Sequence, residues 1–280
     1  MSGATSQPVT GRKIFAAARM AKISAVFTGA ARSVIFAAAG IAVVCLIWQI
    51  ICMTLAPDLP TPAVALSGFA TIMANPFYDN GPNDKGIGLQ LLFSLRRVFI
   101  GFAIGSLIAL PLGFMFGLSA KCRAIFNPIV QILRPVSPMA WFPIGLAVLK
   151  VSDLATIFVI IVTSLWPTLI NTAAGVSSLP QDYRNVARVF AFSAPTYFMK
   201  VLLPYSLPHI ITGFRLSLGV GWMVIVAGEM LAGGTGIGFF VWDSWNSLNL
   251  TRVISAIILI GLIGFAIDAA LMRLYKHVTR

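Results

Sequence analysis

Three ionisable residues, Arg134, Glu229 and Asp268, lie inside long apolar stretches of this sequence. If those stretches cross a membrane, a charged group there is costly unless it is paired or lines an aqueous cavity, so each marks a candidate functional position. An arginine can attract an anion by charge and planar hydrogen bonding, and carboxylates can relay protons or form ion pairs. For both acids we favour structural ion pairing. For Arg134, an anion site and an anchor in the lipid headgroups fit the sequence equally well.

Other chemistry finds little support in the sequence. The two histidines have no partner at the spacing of a catalytic triad or a zinc site, and the 8 acidic residues are too scattered for paired acid–base catalysis. Cys45 and Cys52 are about 10 Å apart along a helix, which is too far for a disulfide. The glycine-rich run 233–238 lacks the Lys-Ser/Thr of a phosphate-binding loop. We therefore predict no enzyme, no resident cofactor and no metal site in this chain.

The composition is that of a membrane protein. Hydrophobic residues make up 58% of the 280 positions and charged residues only 10%, whereas soluble domains carry about 25% charged residues. A water-soluble globule with so little charge could not cover its surface. The net charge of +12 comes from basic residues between apolar stretches rather than from one basic face, so nucleic acid is not a predicted partner.

Six apolar stretches approach or exceed the length of about 20 residues that a helix needs to cross the hydrocarbon. We predict an all-α polytopic protein with spans at 34–56, 98–118, 129–149, 154–175, 211–231 and 253–275. The stretches are long and do not alternate, which excludes a strand barrel. Pro135, Pro138 and Pro143 closely follow Arg134, and proline removes backbone donors, so we expect the third span to be kinked or partly unwound there.

The second span carries a small residue at every fourth position. The stripe consists of Gly101, Gly105, Ala109, Gly113 and Gly117. Such a stripe gives a helix one smooth face that allows close packing against another helix. It is consistent with static packing inside one subunit and equally with a sliding interface.

The basic residues indicate the orientation, because lysine and arginine accumulate in cytoplasmic loops. Placing both termini of the six-span chain in the cytoplasm puts most of the basic residues on the inner side and most of the acidic residues on the outer side. We expect residues 1–33 to form a basic cytoplasmic segment that is not cleaved, followed by a transmembrane domain over 34–280.

The polar stretch 176–210 between the fourth and fifth spans carries the most specific signal. Within it, Asn185-Val186-Ala187 is followed three residues later by Ala191, and nine further residues lead to Val201-Leu202-Leu203-Pro204. This stretch resembles the EAA loop of binding-protein-dependent ABC importer permeases. That pattern is Glu-Ala-Ala, three residues, glycine, nine residues, isoleucine, one residue and Leu-Pro. This sequence keeps the spacing of the pattern but has a different side chain at four of its positions.

The resemblance implies that this loop couples the permease to a cytoplasmic ATPase. The small residues Ala187 and Ala191 suit a short helix that lies in a groove of another protein. The residues that we assign to coupling are Asp182, Tyr183, Arg184, Asn185, Ala187, Arg188, Ala191, Leu203 and Pro204. The simpler alternative is an interfacial helix on the membrane surface.

The resemblance continues outside the loop. Segments 135–143, 213–216, 228–231 and 233–243 are similar to those of nitrate, bicarbonate, cyanate and sulfonate importer permeases, and the last is most similar to the nitrate-type branch. The resemblance implies a MetI-like fold in the bacterial inner membrane and a second permease copy. It also implies two cytoplasmic ATPase subunits that bind Mg-ATP and a solute-binding protein outside.

We therefore expect an importer permease for a small anion, with nitrate or nitrite first and bicarbonate, cyanate or a sulfonate such as taurine next. Arg134, Trp141, Asn171 and Trp222 are the candidates for the anion path. A channel or a secondary transporter driven by an ion gradient is the alternative from another class. It would need Glu229 or Asp268 in the path, and a third class, a membrane scaffold, would have no solute path.

Overall fold

The computed structural model describes residues 32, 34–82 and 84–278. The predicted basic segment 1–33 therefore lies outside the described residues, apart from Arg32. By its internal contacts the chain divides into two compact units, residues 1–64 and 65–280. The described part of the first unit contains the apolar helix α1 (Val34–Thr54), which is long enough to cross a membrane.

Helices account for nearly all the remaining described residues, which confirms the predicted all-α class. The only bridge between extended segments in the described ranges joins Asp79 to Lys85. The helices after α1 are α2 (Pro62–Ala74), α3 (Ile87–Leu118), α4 (Ala120–Leu133), α5 (Pro138–Leu149), α6 (Ser152–Ser177), α7 (Gln181–Val189), α8 (Ala194–Tyr197), a π-helical turn (Phe198–Leu202), α9 (Leu203–Ala232), α10 (Ile237–Asn246) and α11 (Leu250–Val278).

Five continuous helical segments within the described ranges are long and apolar enough to span a membrane, and a sixth span results if α4 and α5 are counted together. These two helices meet at an angle of 96°. The predicted third span, 129–149, is therefore not one helix, and the expected break over its prolines is confirmed. Residues 134–137 leave the helix because Pro135 and Pro138 cannot donate backbone hydrogen bonds.

The stripe of small residues on α3 packs against α6 within the same chain. The nearest α6 side chains are Ile160 for Gly101, Ser164 for Gly105, Thr172 for Gly113 and Val176 for Gly117. A Cβ atom on Gly105 would lie 2.5 Å from Ser164 Oγ and 2.8 Å from the backbone oxygen of Ile161. The stripe therefore packs inside one chain, and the two helix backbones approach each other as closely as glycine allows.

Helix α9 packs against the other side of α6 through both polar and apolar contacts. The hydroxyl groups of Thr168 and Ser217 lie 2.7 Å apart, and Ser217 Oγ donates to the backbone oxygen of Ser164 at 2.6 Å. An apolar cluster that includes Val98, Ile160 and Ile225 joins α3, α6 and α9. Helices α3, α6 and α9 form the helical frame of the protein, and the loops and the broken helix pair extend from it.

We expect Gly105→Ala to lower the unfolding temperature of the detergent-solubilised protein. The added methyl group would meet a backbone oxygen that cannot move independently, and overpacking of this kind costs about 1–3 kcal/mol. Gly219→Ala in α9 is the control, because no other atom lies within 4 Å of the position its Cβ would take. That variant should gain helix propensity and lose no stability. Equal unfolding temperatures for the two variants would contradict the close packing of α3 on α6.

Candidate coupling loop and anion path

Helix α7 ends in a tight reversal of the chain. The backbone N–H of Phe192 donates to the oxygen of Ala187 at 2.9 Å, and that of Ala191 donates to the oxygen of Arg188 at 3.0 Å. Ala191 between them has φ 48°, so this is a Schellman motif with its left-handed residue just after the helix. Glycine is the usual residue at such a position, and the EAA pattern has glycine there. The glycine position of the pattern therefore forms the turn. Alanine occupies it here, at a conformational cost of about 1–2 kcal/mol.

The exposed face of α7 differs from the one that the sequence predicts. Ala187 is only 7% exposed and faces the interior of the loop, and Ala191 lies beyond the end of the helix. Both were predicted to lie against the ATPase. The burial of Ala187 keeps it off the exposed surface of α7, whereas Ala191 is exposed just beyond the helix end, and the role of both residues in coupling stays a prediction. The outward side chains are Val186, Val189 and Phe190, with Val189 81% exposed. Their i, i+3, i+4 spacing is an apolar stripe that the sequence already contained.

A cavity of about 350 Å³ lies between α7 and α8, with Arg184 and Arg188 in its wall. Neither arginine has an ion pair with an acid in the described part of the chain. Arg184 Nε is buried and has no hydrogen-bond partner there. Asn185, at the place of the motif's glutamate, accepts a hydrogen bond from Gln181 Nε2 at 3.3 Å. Asp182 and Tyr183 are exposed. Because the two arginines outnumber Asp182, the surface of the loop is net basic, and its exposed valines and Phe190 make it partly apolar.

The loop is joined rigidly to the transmembrane frame. The π-helical turn leads directly into α9 at Leu203-Pro204. Leu202 is buried against Val176 near the C-terminal end of α6, and the hydroxyl of Tyr205 donates to the backbone oxygen of Ser178 at 3.1 Å. A displacement of α7 would therefore be passed to α9.

Arg134 lies at the break between α4 and α5, at the C-terminal end of α4. Its side chain is exposed and makes no hydrogen bond or ion pair with any other described residue. It borders a cavity of about 290 Å³ whose wall also contains Trp141, Thr163 and Trp166. The structure thus brings two of the predicted path residues, Arg134 and Trp141, to one cavity.

The other two predicted path residues lie elsewhere. Trp222 is 4% exposed, belongs to the apolar core and donates from Nε1 to the backbone oxygen of Ile260 at 3.0 Å. Asn171 donates from Nδ2 to the backbone oxygen of Pro167, one turn earlier in α6, at 2.8 Å. Neither residue borders the Arg134 cavity. Each donates to a backbone oxygen within the helical frame, and the place of both in the anion path stays a prediction.

Both acids inside the apolar stretches are paired, as the sequence favoured. Asp268 Oδ2 accepts from Arg215 Nη2 at 2.9 Å, across α9 and α11. Glu229, 1% exposed, accepts from Arg97 Nη1 at 2.6 Å and from the backbone N–H of Gly238 at 2.9 Å. The same Arg97 donates from Nε to Asp153 Oδ1 at 2.6 Å. Sequence reasoning missed Arg97 because it treated that residue as a span edge.

The glycine-rich run after α9 closes over the Glu229 carboxylate. Arg97 Nη1 donates to the backbone oxygen of Thr235 at 2.5 Å, and Ser94 Oγ bridges Glu229 to the backbone N–H of Ile237 at 2.8 Å on each side. Gly236 has φ 140°, and a Cβ there would overlap the carboxylate. The run is therefore a turn that seals a buried ion pair, in agreement with the rejection of a phosphate loop.

We expect Arg97→Gln to destabilise the protein by about 3–5 kcal/mol, because it leaves the buried Glu229 carboxylate without its cation. Asp153→Asn is the matched control: the Asp153 side chain is 41% exposed, and Arg97 keeps Glu229 as its partner. Thermal unfolding in detergent measures both. A loss of stability for Asp153→Asn as large as that for Arg97→Gln would contradict a network centred on Glu229.

Comparisons with known proteins agree with this geometry. The family described as "Binding-protein-dependent transport system inner membrane component" matches residues 101–280. The Nitrate import permease protein NrtB of Synechocystis sp. is 44% identical over 235 residues, covering 84% of this chain and 86% of the relative. The Bicarbonate transport system permease protein CmpB of Synechococcus elongatus is 41% identical over 245 residues, covering 86% of this chain and 88% of the relative.

A solved structure also has the same fold. The inward-facing MetNI methionine ABC transporter contains a chain that superposes with a TM-score of 0.61, covering 69% of this chain and 96% of that chain at 19% sequence identity. At that identity the likeness concerns the fold alone. The family match and the two permease relatives carry the assignment further, and they agree with the helical frame and its break. The chain therefore belongs to the binding-protein-dependent transport system inner membrane components, the MetI-like permeases of ABC importers.

Proposed function

We propose that this chain forms the membrane path of an ATP-driven importer for nitrate. The observation that carries the proposal is the Arg134 guanidinium, which stands without an acidic partner among the described residues beside a cavity at a break in a membrane helix. The 44% identity to a nitrate import permease supports nitrate as the solute. A planar guanidinium presents paired donors to a planar oxyanion, as nitrate requires.

The surroundings of Arg134 suit an anion rather than a cation. None of the described residues lining its cavity is acidic, and Trp141 and Trp166 give it flat apolar walls. Apolar walls beside the guanidinium lower the local polarity, which strengthens its attraction for an anion. Backbone carbonyls freed by Pro135 and Pro138 would repel an anion, and the positive charge of Arg134 offsets them.

Energy for transport comes from other subunits in this proposal. The chain pairs with a second copy of itself and with two cytoplasmic ATPase subunits that hold Mg-ATP, and a solute-binding protein delivers the anion outside. Both termini and α7 face the cytoplasm, in keeping with the basic residues there. The apolar stripe of Val186, Val189 and Phe190 docks in a groove of the ATPase, and the connection through Leu203-Pro204 passes its movement to α9.

Bicarbonate is the second candidate, since a bicarbonate permease is 41% identical to this chain. Nitrate and bicarbonate are both planar trigonal oxyanions, so the same guanidinium suits either. Cyanate and sulfonates are alternatives with less support. An importer driven by an ion gradient would need a free carboxylate in the path, and Glu229 and Asp268 are both engaged by arginines.

We expect Val189→Glu to uncouple the transporter while the permease remains folded. The charge would lie in the apolar contact with the ATPase, and nitrate uptake by the reconstituted complex should fall at least tenfold with an unchanged unfolding temperature of the permease. Ala191→Gly is the control, because it relieves the left-handed strain and keeps the docking stripe. Ala187→Glu and Ala191→Trp should also uncouple the complex, although through distortion of the loop. Parental uptake by Val189→Glu would exclude docking through this stripe.

We expect Arg134→Gln to reduce nitrate uptake at least tenfold while assembly and basal ATP hydrolysis persist, and Arg134→Lys to reduce it less. Lys121→Gln on the same helix is the control, since Lys121 borders neither of the cavities that Arg134 lines. Uptake of labelled nitrate into proteoliposomes measures all three. Parental uptake by a correctly assembled Arg134→Gln complex would make Arg134 a membrane anchor.

A further inference from the structure

We infer that the anion path continues from Arg134 along one face of α4, with Gln131, Asn127 and Arg123 as successive contacts. The inference rests on the proposed function and adds three residues that the sequence did not single out. It concerns only α4 and the cavities beside it.

The amphipathic pattern of α4 is the first observation. Arg123, Asn127 and Gln131 recur at every fourth residue, and Arg134 follows three residues later, so all four share one side of the helix. The opposite side is apolar and exposed, with Ile125 65% and Ile132 70% accessible. Polar side chains at membrane depth face protein or water rather than lipid. The polar side of α4 is therefore turned to an aqueous space and the apolar side to lipid.

The cavities beside α4 provide the second observation. A cavity of about 220 Å³ is bordered by Arg123 and Asn127. The next, of about 580 Å³, is bordered by Asn127, Gln131 and Arg134. The third, of about 290 Å³, contains Arg134 and Trp141 in its wall. Neighbouring cavities share lining residues, so the three follow one another along the helix, and we take this series as the lane.

The chemistry of the lane selects an anion. None of the described residues lining the three cavities is acidic. The side chains of Arg123, Asn127, Gln131 and Arg134 make no hydrogen bond with other described residues, so their N–H donors are free to replace water around an anion. The two arginines are eleven residues apart, which is about 16 Å along a helix, or roughly half of the hydrocarbon thickness.

The order of the contacts suits conduction. A path needs sites that attract the ion strongly enough for entry and release it quickly enough for exit. The guanidinium groups at the two ends of the lane supply the attraction. The neutral amides of Asn127 and Gln131 lie between them and bind an anion more weakly, so that it is handed on rather than held.

Cysteine modification tests the geometry of the lane without reference to transport rate. In the reconstituted complex, with Cys45, Cys52 and Cys122 replaced by serine, Asn127→Cys and Gln131→Cys should react with an anionic, water-soluble methanethiosulfonate. Sodium nitrate should slow the reaction, and the same concentration of sodium gluconate, which controls for ionic strength, should not. Ile129→Cys on the apolar side is the matched control and should react at least tenfold more slowly. Similar rates at positions 129 and 131, or rates unaffected by nitrate, would overturn the lane and leave α4 as an interfacial helix.

Uptake separates the lane from the proposed function. Asn127→Asp and Gln131→Glu put a negative charge in the lane with almost no change in shape, and each should lower nitrate uptake at least tenfold. Asn75→Asp makes the same change at an exposed outer position and should leave uptake unchanged. If the parental complex takes up nitrate and both lane variants match it, the lane is wrong and the proposed function stands. If the parental complex takes up no nitrate, the proposed solute itself fails.

Discussion

The exclusion of unpaired polar groups from hydrocarbon governs this structure. Glu229 is acceptable inside the protein because Arg97, Ser94 and the backbone N–H of Gly238 surround its carboxylate, and the half-exposed Asp268 is neutralised by Arg215. The same rule makes Arg134 a candidate functional residue. It has no partner among the described residues and borders open cavities, so its charge is available to water, to a lipid headgroup or to a solute.

Close helix packing supplies the rigidity that transport requires. Glycines on α3 bring its backbone against α6, and hydroxyl groups join α6 to α9. Because such contacts leave no room for gradual deformation, a force on one end of α9 moves the helix as a body. The π-helical turn attaches the loop to that end, and the seal over Glu229 lies at the other. Helix α9 thus connects the loop that contains α7 to the glycine-rich turn.

The structure gives physical reasons for the positions at which the loop departs from its family pattern. Ala191 keeps the left-handed turn that glycine would make more easily, so the geometry survives the substitution. Asn185 stands where the pattern has glutamate, and the neighbouring Arg184 and Arg188 have no acidic partners in the described ranges. The loop therefore presents positive charge and an apolar stripe, a combination that suits an acidic, apolar groove on the partner.

The sequence by itself determined the all-helical membrane class, the break after Arg134, the position of the polar loop between α6 and α9 and the pairing of both acids in the apolar stretches. These depend on local composition, on proline chemistry and on spacing along the chain. Only the tertiary structure decided which residues meet: Arg97 as the partner of Glu229, Trp222 in the apolar core, and Ala187 inside the loop. Periodicity tells which residues share a helix face, but the neighbouring helix that covers the face decides whether it meets protein, lipid or water. That choice rests on contacts between residues as far apart as Arg97 and Glu229, which no local pattern specifies.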